Sequence, residues 1–435
     1  MSPASEQALE QRLGASRVSP PPLTGLVLTG GGARAAYQVG VLSAIQHIRR
    51  ASGAPGDNPF PVIAGTSAGA IIGAVLACQA DRFELAVQML EDTWAGFRAE
   101  QIYRADALGM VRTGARWLTM FTVGWAITRW RRARPRSLLD NAPLRALLQQ
   151  TVDLQRMREV MAQGHLQGVA VTASSYSSGD HVTFYEATRE IAPWTRSHRL
   201  AFRSRITVDH LLASSAIPFV FPSVRLPLMG QWEWFGDGSM RQSAPISPAV
   251  HMGAERILVI GSGRMHEPPE RRVVSDDYPS LAQIAGHALS NIFLDALAVD
   301  VERLERVNRT LALVPVEARS KTALKPLQVL VIAPTQRLDD MAGRHLNALP
   351  PAVRTLLRGV GVSGLGQGAK GSALASYLLF ESAYTLELIA LGKADTLRRE
   401  ADVRRFFGWP TEAATPALPV SAAPRFNAAA PGPAL

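Results

Sequence analysis

The stretch Gly65-Thr66-Ser67-Ala68-Gly69 follows a short apolar run, Phe60-Pro61-Val62-Ile63-Ala64. It precedes a run from Ala68 to Ala80 that is rich in Ala, Ile, Val and Leu, with no breaker beyond Gly69 and Gly73. The first run reads as a buried strand and the second as a buried helix, which makes the pentapeptide a tight strand-to-helix turn. A serine on such a turn is forced outward, with its hydroxyl near the positive end of the helix dipole. Gly65 and Gly69 suit it because a side chain there would clash with the neighbouring strand. Taken alone, the pentapeptide fits a nucleophile and a plain turn equally.

The same order occurs upstream. Residues 23–30 form an apolar strand that runs into Gly30-Gly31-Gly32, and Ala35 to Arg49 then carries Val39, Leu42, Ile45 and Ile48 at helical spacing. Strand, glycine loop, helix, strand, serine turn and helix together predict an α/β fold, a parallel sheet covered by helices on both faces. Further strands are expected at Leu166–Ser174, His181–Tyr185, Trp232–Phe235, Arg256–Gly261 and Leu327–Ile332. Helices are expected at Leu85–Trp94, Leu144–Gln150, Val208–Ser215 and Leu346–Arg358. A long helix is expected within Tyr278–Asn308, and another over Ser372–Leu391. Tyr103 to Arg136 is the least regular part, and beyond Trp409 an Ala- and Pro-rich tail reads as disordered.

The chain has 435 residues, of which 47% are hydrophobic and 19% charged, enough to bury a large core. Its one cysteine, Cys78, sits in an apolar helix, which excludes a disulfide framework or a cysteine metal site and reads as a small core residue. Met1 to Pro22 is polar and then Pro-rich, with no apolar segment of a secretory signal. No run of about 18 apolar residues predicts a spanning helix. A cytoplasmic enzyme is the expectation.

The net charge of +10 is uneven. Arg129, Arg131, Arg132, Arg134 and Arg136 follow the aromatic, apolar stretch Trp117 to Trp130. That mixture suits an anionic lipid surface, and equally a solvated basic turn after a core helix. No zinc-finger spacing, basic zipper or aromatic RNA-binding signature accompanies the arginines, so no nucleic-acid partner is expected.

A serine hydroxyl needs a base and donors for the developing oxyanion. Gly30-Gly31-Gly32-Ala33-Arg34 offers backbone N–H groups on a glycine loop at a helix start, where they converge and favour negative charge. None of the nine histidines stands in a turn after a strand with an attendant acid. Asp237 instead lies between two glycines directly after the strand Trp232–Phe235, where open α/β sheets carry functional carboxylates. Acidic residues are otherwise scattered. Asp339-Asp340 reads as a solvated loop pair rather than a calcium site, and neither a metal nor a cofactor is expected.

Gly30-Gly31-Gly32-Ala33-Arg34, Gly65-Thr66-Ser67-Ala68-Gly69 and Asp237-Gly238, in that order and each at a strand end, resemble the three blocks of patatin-like phospholipases. Ala213-Ser214-Ser215-Ala216-Ile217-Pro218-Phe219 resembles the family's segment before the aspartate. The resemblance covers roughly residues 23–333, and Tyr377-Leu378-Leu379-Phe380-Glu381 is similar to extended bacterial members. It implies a three-layer patatin-like fold with a mostly parallel sheet. The domain order is then a polar N-terminal segment (1–22), a catalytic domain (23–333), a helical C-terminal extension packed on it (334–409) and the tail (410–435).

The resemblance also implies a Ser67–Asp237 dyad without histidine, in which Ser67 attacks an ester carbonyl and Asp237 takes its proton. The acyl-enzyme is then hydrolysed by water that Asp237 activates. Gly31, Gly32 and Ala33 N–H groups would hold the oxyanion, with Gly30 in the same loop and Arg34 steadying the loop or an anionic substrate. Gly65, Gly69 and Gly238 are the elbow and turn glycines. The implied activity is that of a serine lipid acyl hydrolase, of phospholipase A or lysophospholipase type. Its partners would be an acyl lipid and an anionic membrane surface met through Trp117–Arg136, at the inner membrane face. The sequence departs from the family pattern at Ala35 and Ser239, where glycine and glycine or alanine are usual; both replacements are small.

Three other readings are weaker or stay open. A dinucleotide-binding loop would fit Gly30–Ala35, but the ribose-binding acid about 20 residues on is missing. A Walker loop fails because Gly65–Ile71 has no lysine. An acyltransferase on the same dyad, or a silent membrane-binding protein of the same fold, is separated from a hydrolase by assay rather than by sequence.

Overall fold

The computed structural model describes residues 22–54, 56, 58–104, 137–265, 278–292, 296–319, 321–322, 324–364, 366 and 369–410. The polar N-terminal segment, the Trp117–Arg136 stretch and the Ala/Pro-rich tail lie outside these residues, apart from Pro22 and Pro410 at their inner ends.

β1 (Thr24–Leu28) and β2 (Val62–Thr66) are buried at every position, as strands are when helices cover both faces. Their alternate side chains divide between two cores. Leu26, Leu28 and Ile63 pack into the larger one with the helices Ala36–Ala51 and Ala68–Cys78. Val27, Val62 and Ala64 face a smaller one under the helices Ser247–His251 and Ala296–Leu313. The result is the expected three-layer α/β architecture, with Cys78 buried in the helical layer.

The remaining strands are β3 (Gly168–Ser175), β4 (His181–Ala187), β5 (Thr195–Arg196), β6 (Arg199–Arg203), β7 (Val224–Leu228), β8 (Gln231–Asp237), β9 (Arg256–Ile260) and β10 (Gln328–Ile332). They form one sheet in the order β10-β9-β1-β2-β3-β4-β6-β5, with the β7–β8 hairpin joined to β3. From β10 to β3 every pairing is parallel.

The register at β3 assembles the site. β2 pairs with β3 as far as Thr66 opposite Thr172. The next residue of β3, Ala173, faces Asp237 of the antiparallel β8. β4 occupies the other edge of β3 through Ser174, so β8 enters on the edge that β2 has just left. Ser67 turns away where Asp237 takes over.

The C-terminal part differs from expectation in two places. Within Tyr278–Asn308 the described residues form the helices Leu281–Ser290 and Ala296–Leu313, the second long as expected. Asp339 and Asp340 are not in a loop but in the first turn of the helix Leu338–His345, where carboxylates suit the positive dipole end. The helix expected over Ser372–Leu391 is Ser372–Ser376 followed, after a turn at Tyr377–Leu378, by Ser382–Leu397. The longer of these lies along Ala36–Ala51, the helix that leaves the glycine loop.

Candidate active site

Ser67 sits between β2 and the helix Ala68–Cys78 with φ 55° and ψ −130°, a backbone region that costs a non-glycine residue on the order of 1–3 kcal/mol. Two contacts fix the turn. Ser67 N–H donates to Ser214 Oγ at 2.8 Å, and Ala70 N–H donates back to Ser67 O at 2.9 Å. A Cβ at Gly69 would stand 2.5 Å from the Leu28 carbonyl oxygen of β1. One at Gly65 would stand 2.5 Å from Ala70 Cα, inside the elbow's own helix rather than against a neighbouring strand. Below the elbow, Thr66 Oγ1 meets Thr172 Oγ1 at 2.6 Å and accepts Gln242 Nε2 at 2.8 Å.

Asp237 ends β8, fully buried, with its N–H on Ala216 O at 3.0 Å. Its Oδ1 accepts the Ser239 N–H at 2.9 Å across the turn opened by Gly238. Oδ2 has no hydrogen-bond partner among the described residues. Burial pushes this carboxyl up to about 6, opposed by the nearby Ser67 hydroxyl and by the N–H and hydroxyl of Ser239. Ser67 and Asp237 are thus neighbours whose hydrogen bond is not well formed, a common state for catalytic groups without substrate. A carboxylate poised near 6 is a competent base at neutral pH.

The glycine loop follows β1 at the same end of the sheet. The Ser262 hydroxyl, just beyond β9, donates to Gly30 O. Gly31 and Gly32 N–H have no acceptor among the described residues. Ala33 N–H, expected as a third oxyanion donor, is instead committed to Tyr377 O at 3.1 Å, so two amides are free where three were expected. Arg34 is 2% exposed and makes an ion pair with Asp339. It also donates to Ser376 Oγ at 2.7 Å and to Ala373 O at 3.2 Å. Those partners match the loop-steadying role and leave no side for a substrate anion. Asp339 was read as a solvated acid; it is instead Arg34's counter-ion, and its distance in sequence gave no signal.

Beside Ser67 lies an apolar cavity. Gly32 and Ser67 line it together with Ile71, Val75, Leu90, Trp94, Leu148 and Phe380. No histidine lines it. His198, in the turn after β5, does have an attendant acid, Asp180 at 3.5 Å, contrary to the sequence reading, and His345, in a helix, meets Glu387 at 2.6 Å; neither lines the cavity. His181 meets the backbone at Gly238, and burial pushes it down to about 4, so it is neutral behind Asp237. Among the described residues no group of three or more His, Cys, Asp or Glu is placed to hold a metal.

Residues 26–250 match the family model described as patatin-like phospholipase. Similar solved structures include VipD from Legionella pneumophila, at 12% identity and TM-score 0.29, covering 85% of this chain and 67% of that one. Human GIVD cytosolic phospholipase A2 matches at 12% identity and TM-score 0.40, over 93% of this chain. This chain spans 63% of that protein's length, less than two thirds. The type III effector protein ExoU matches at 14% identity and TM-score 0.23, over 91% of this chain and 90% of that one. No curated protein matches.

Proposed function

Because this chain belongs to the patatin-like phospholipase family, a family of lipid hydrolases, we propose that it is a serine acyl hydrolase acting on phospholipid or lysophospholipid through Ser67 and Asp237. The observation that carries this reading is the register at β3, which brings a strained serine elbow and a buried, half-satisfied carboxylate together at the wall of an apolar cavity. The elbow turns a nucleophile toward the cavity wall, the carboxylate supplies a base, and the cavity a dry place for an acyl chain.

Asp237 takes the Ser67 proton as Oγ attacks the ester carbonyl. The tetrahedral oxyanion accepts from the free N–H groups of Gly31 and Gly32, and each such donor is worth on the order of 3 kcal/mol in the transition state. Protonated Asp237 then gives its proton to the departing alcohol, leaving acyl-Ser67. Water, deprotonated by the same carboxylate, releases the fatty acid and restores Ser67.

Among the described residues no helix is long and apolar enough to cross a membrane. Contact with a lipid surface is proposed through Trp117–Arg136 and through β8. There Trp232 and Trp234 are exposed on one face of the strand, with Arg225 stacked 5.5 Å over the Trp232 ring.

The test is release of fatty acid from mixed phospholipid vesicles, and of a short soluble ester, by purified protein. Ser67→Ala and Asp237→Asn are expected to abolish both while the fold is retained. Undiminished hydrolysis in either variant overturns the dyad.

A further inference from the structure

We infer that Asp339, with the Ser376–Tyr377 turn, is a positioning element of the oxyanion loop, so that a part of the chain outside the family match completes the active site. The inference rests on the catalytic reading of Ser67 and the glycine loop given above. The match ends at residue 250; Ser262 holds Gly30 O, and the contacts that hold Ala33 N–H and the Arg34 side chain come from residues 339–377.

Two sets of contacts, one from the Tyr377 carbonyl and one around the Arg34 guanidinium, converge on Gly32-Ala33-Arg34. Tyr377 O accepts the Ala33 N–H, which fixes the loop directly after the two free amides. Gly32 has φ +54° and a Cβ there would lie 2.4 Å from the same Tyr377 O, so the loop lies directly against that carbonyl. The Arg34 guanidinium is gripped on all sides. Asp339 holds one end, Ser376 Oγ and Ala373 O accept from it, and its Cζ lies 4.0 Å over the Tyr377 ring. Burial opposes a charged guanidinium, yet Asp339, with Tyr377 and Tyr384, outweighs it and holds the arginine above its ordinary range. A buried cation left without its counter-ion is strongly unfavourable. Arg34 must therefore move if Asp339 is neutralised, and Gly32 is two residues away.

The broken helix has the same explanation. A helix continued past Tyr377 would commit its carbonyl to the N–H four residues on and leave it unavailable to Ala33. The segment after the turn is held on its other side by Tyr103 OH on Leu378 O at 2.8 Å and by Ala99 N–H on Glu381 Oε1 at 3.2 Å. Phe380, between those anchors, forms part of the cavity wall. One segment thus braces the two amides on one side and the acyl cavity on the other.

The experiment uses the full chain with Asp339→Asn and, separately, Ser376→Ala, which removes one contact from the same guanidinium. Three quantities are read: kcat and KM on a soluble short-chain ester, amide hydrogen exchange at Gly31–Ala33, and Tm. A displacement of catalytic groups by about 1 Å costs on the order of 100-fold. Asp339→Asn is therefore expected to lower kcat about 10- to 100-fold with KM unchanged, and to speed exchange at the loop amides. Asp339→Glu should restore part of the rate. A merely structural role predicts a lower Tm with kcat per folded molecule and loop exchange unchanged, and that result overturns the inference. If Asp339→Asn does not fold, Ser376→Ala is read by the same criteria. The exchange arm needs no activity. Persistent hydrolysis in Ser67→Ala would overturn the dyad, and loop exchange would still decide the role of Asp339.

Discussion

At the scale of single residues, the two groups proposed to react were legible because each announces itself locally. Ser67 is the middle of a five-residue turn, and Asp237 stands between glycines at a strand end. Their supports were not legible. Ser214, Gln242 and Asp339 touch the site across 147, 176 and 305 positions of sequence, and no local pattern marks them. The raised pKa of Asp237 gives two measurable consequences. Only the ionised carboxylate can take the serine proton, so kcat/KM on a soluble ester should fall tenfold per pH unit below about 6 and level off above it. A plateau extending to pH 4 would show that another group is the base. The second consequence is for stability. The folded state holds this carboxyl about two units above its ordinary 3.8, so it favours the neutral form. That contribution is intact below pH 4 and lost as pH rises through 6. Two units correspond to ~3 kcal/mol. Asp237→Asn lacks the titration, so its stability relative to the parent should grow by about that amount between pH 4 and pH 8. Denaturant unfolding at both pH values measures it; a difference that is flat with pH would mean that Asp237 titrates normally.

At the scale of elements, strands were easier to read than the breaks between helices. β1, β2 and β9 are short apolar runs that end at or near glycine. Ser376-Tyr377-Leu378-Leu379-Phe380-Glu381 holds no glycine or proline, so its periodicity continues a helix. Tertiary hydrogen bonds break it, with Ala33 N–H and Tyr103 OH taking carbonyls that a helix would have used. The elbow shows the opposite case, where local sequence and packing agree. Gly69→Ala puts a methyl 2.5 Å from the Leu28 carbonyl of β1, and neither backbone can retreat without moving the sheet. Overpacking of this kind costs ~1–3 kcal/mol. We expect a matching fall in Tm together with a large loss of hydrolysis, because the shift displaces Ser67. Gly359→Ala, where a Cβ meets nothing within 4 Å, is the control and should change neither. Equal Tm values for the two variants would refute the close packing of helix on strand.

At the scale of the whole molecule, the site depends on surfaces that sequence order keeps apart. The acyl cavity takes walls from Ile71 and Val75, from Leu90 and Trp94, from Leu148 and from Phe380, four separated regions whose apolar residues read as ordinary core until folding leaves space between them. The exposed aromatic face of β8 is likewise ordinary strand periodicity in the sequence. It becomes distinctive only because no layer among the described residues covers Trp232 and Trp234, at 59% and 46% exposure, while Phe235 beside them is fully buried. That strand ends in Asp237. Lipid contact at its outer face would therefore bring the bilayer to the element that carries the base. The two requirements can be separated. A soluble short-chain ester needs only the dyad and the free amides, whereas a phospholipid must first leave a bilayer. Trp232→Ala with Trp234→Ala removes aromatic surface that favours the headgroup region and leaves the buried side of β8 intact. The double variant should keep kcat/KM on the soluble ester and lose turnover of anionic vesicles several-fold, with weaker vesicle sedimentation. Loss on both substrates would place the tryptophans in the folding of the hairpin. Loss on neither would leave the Trp117–Arg136 stretch as the remaining proposed lipid contact.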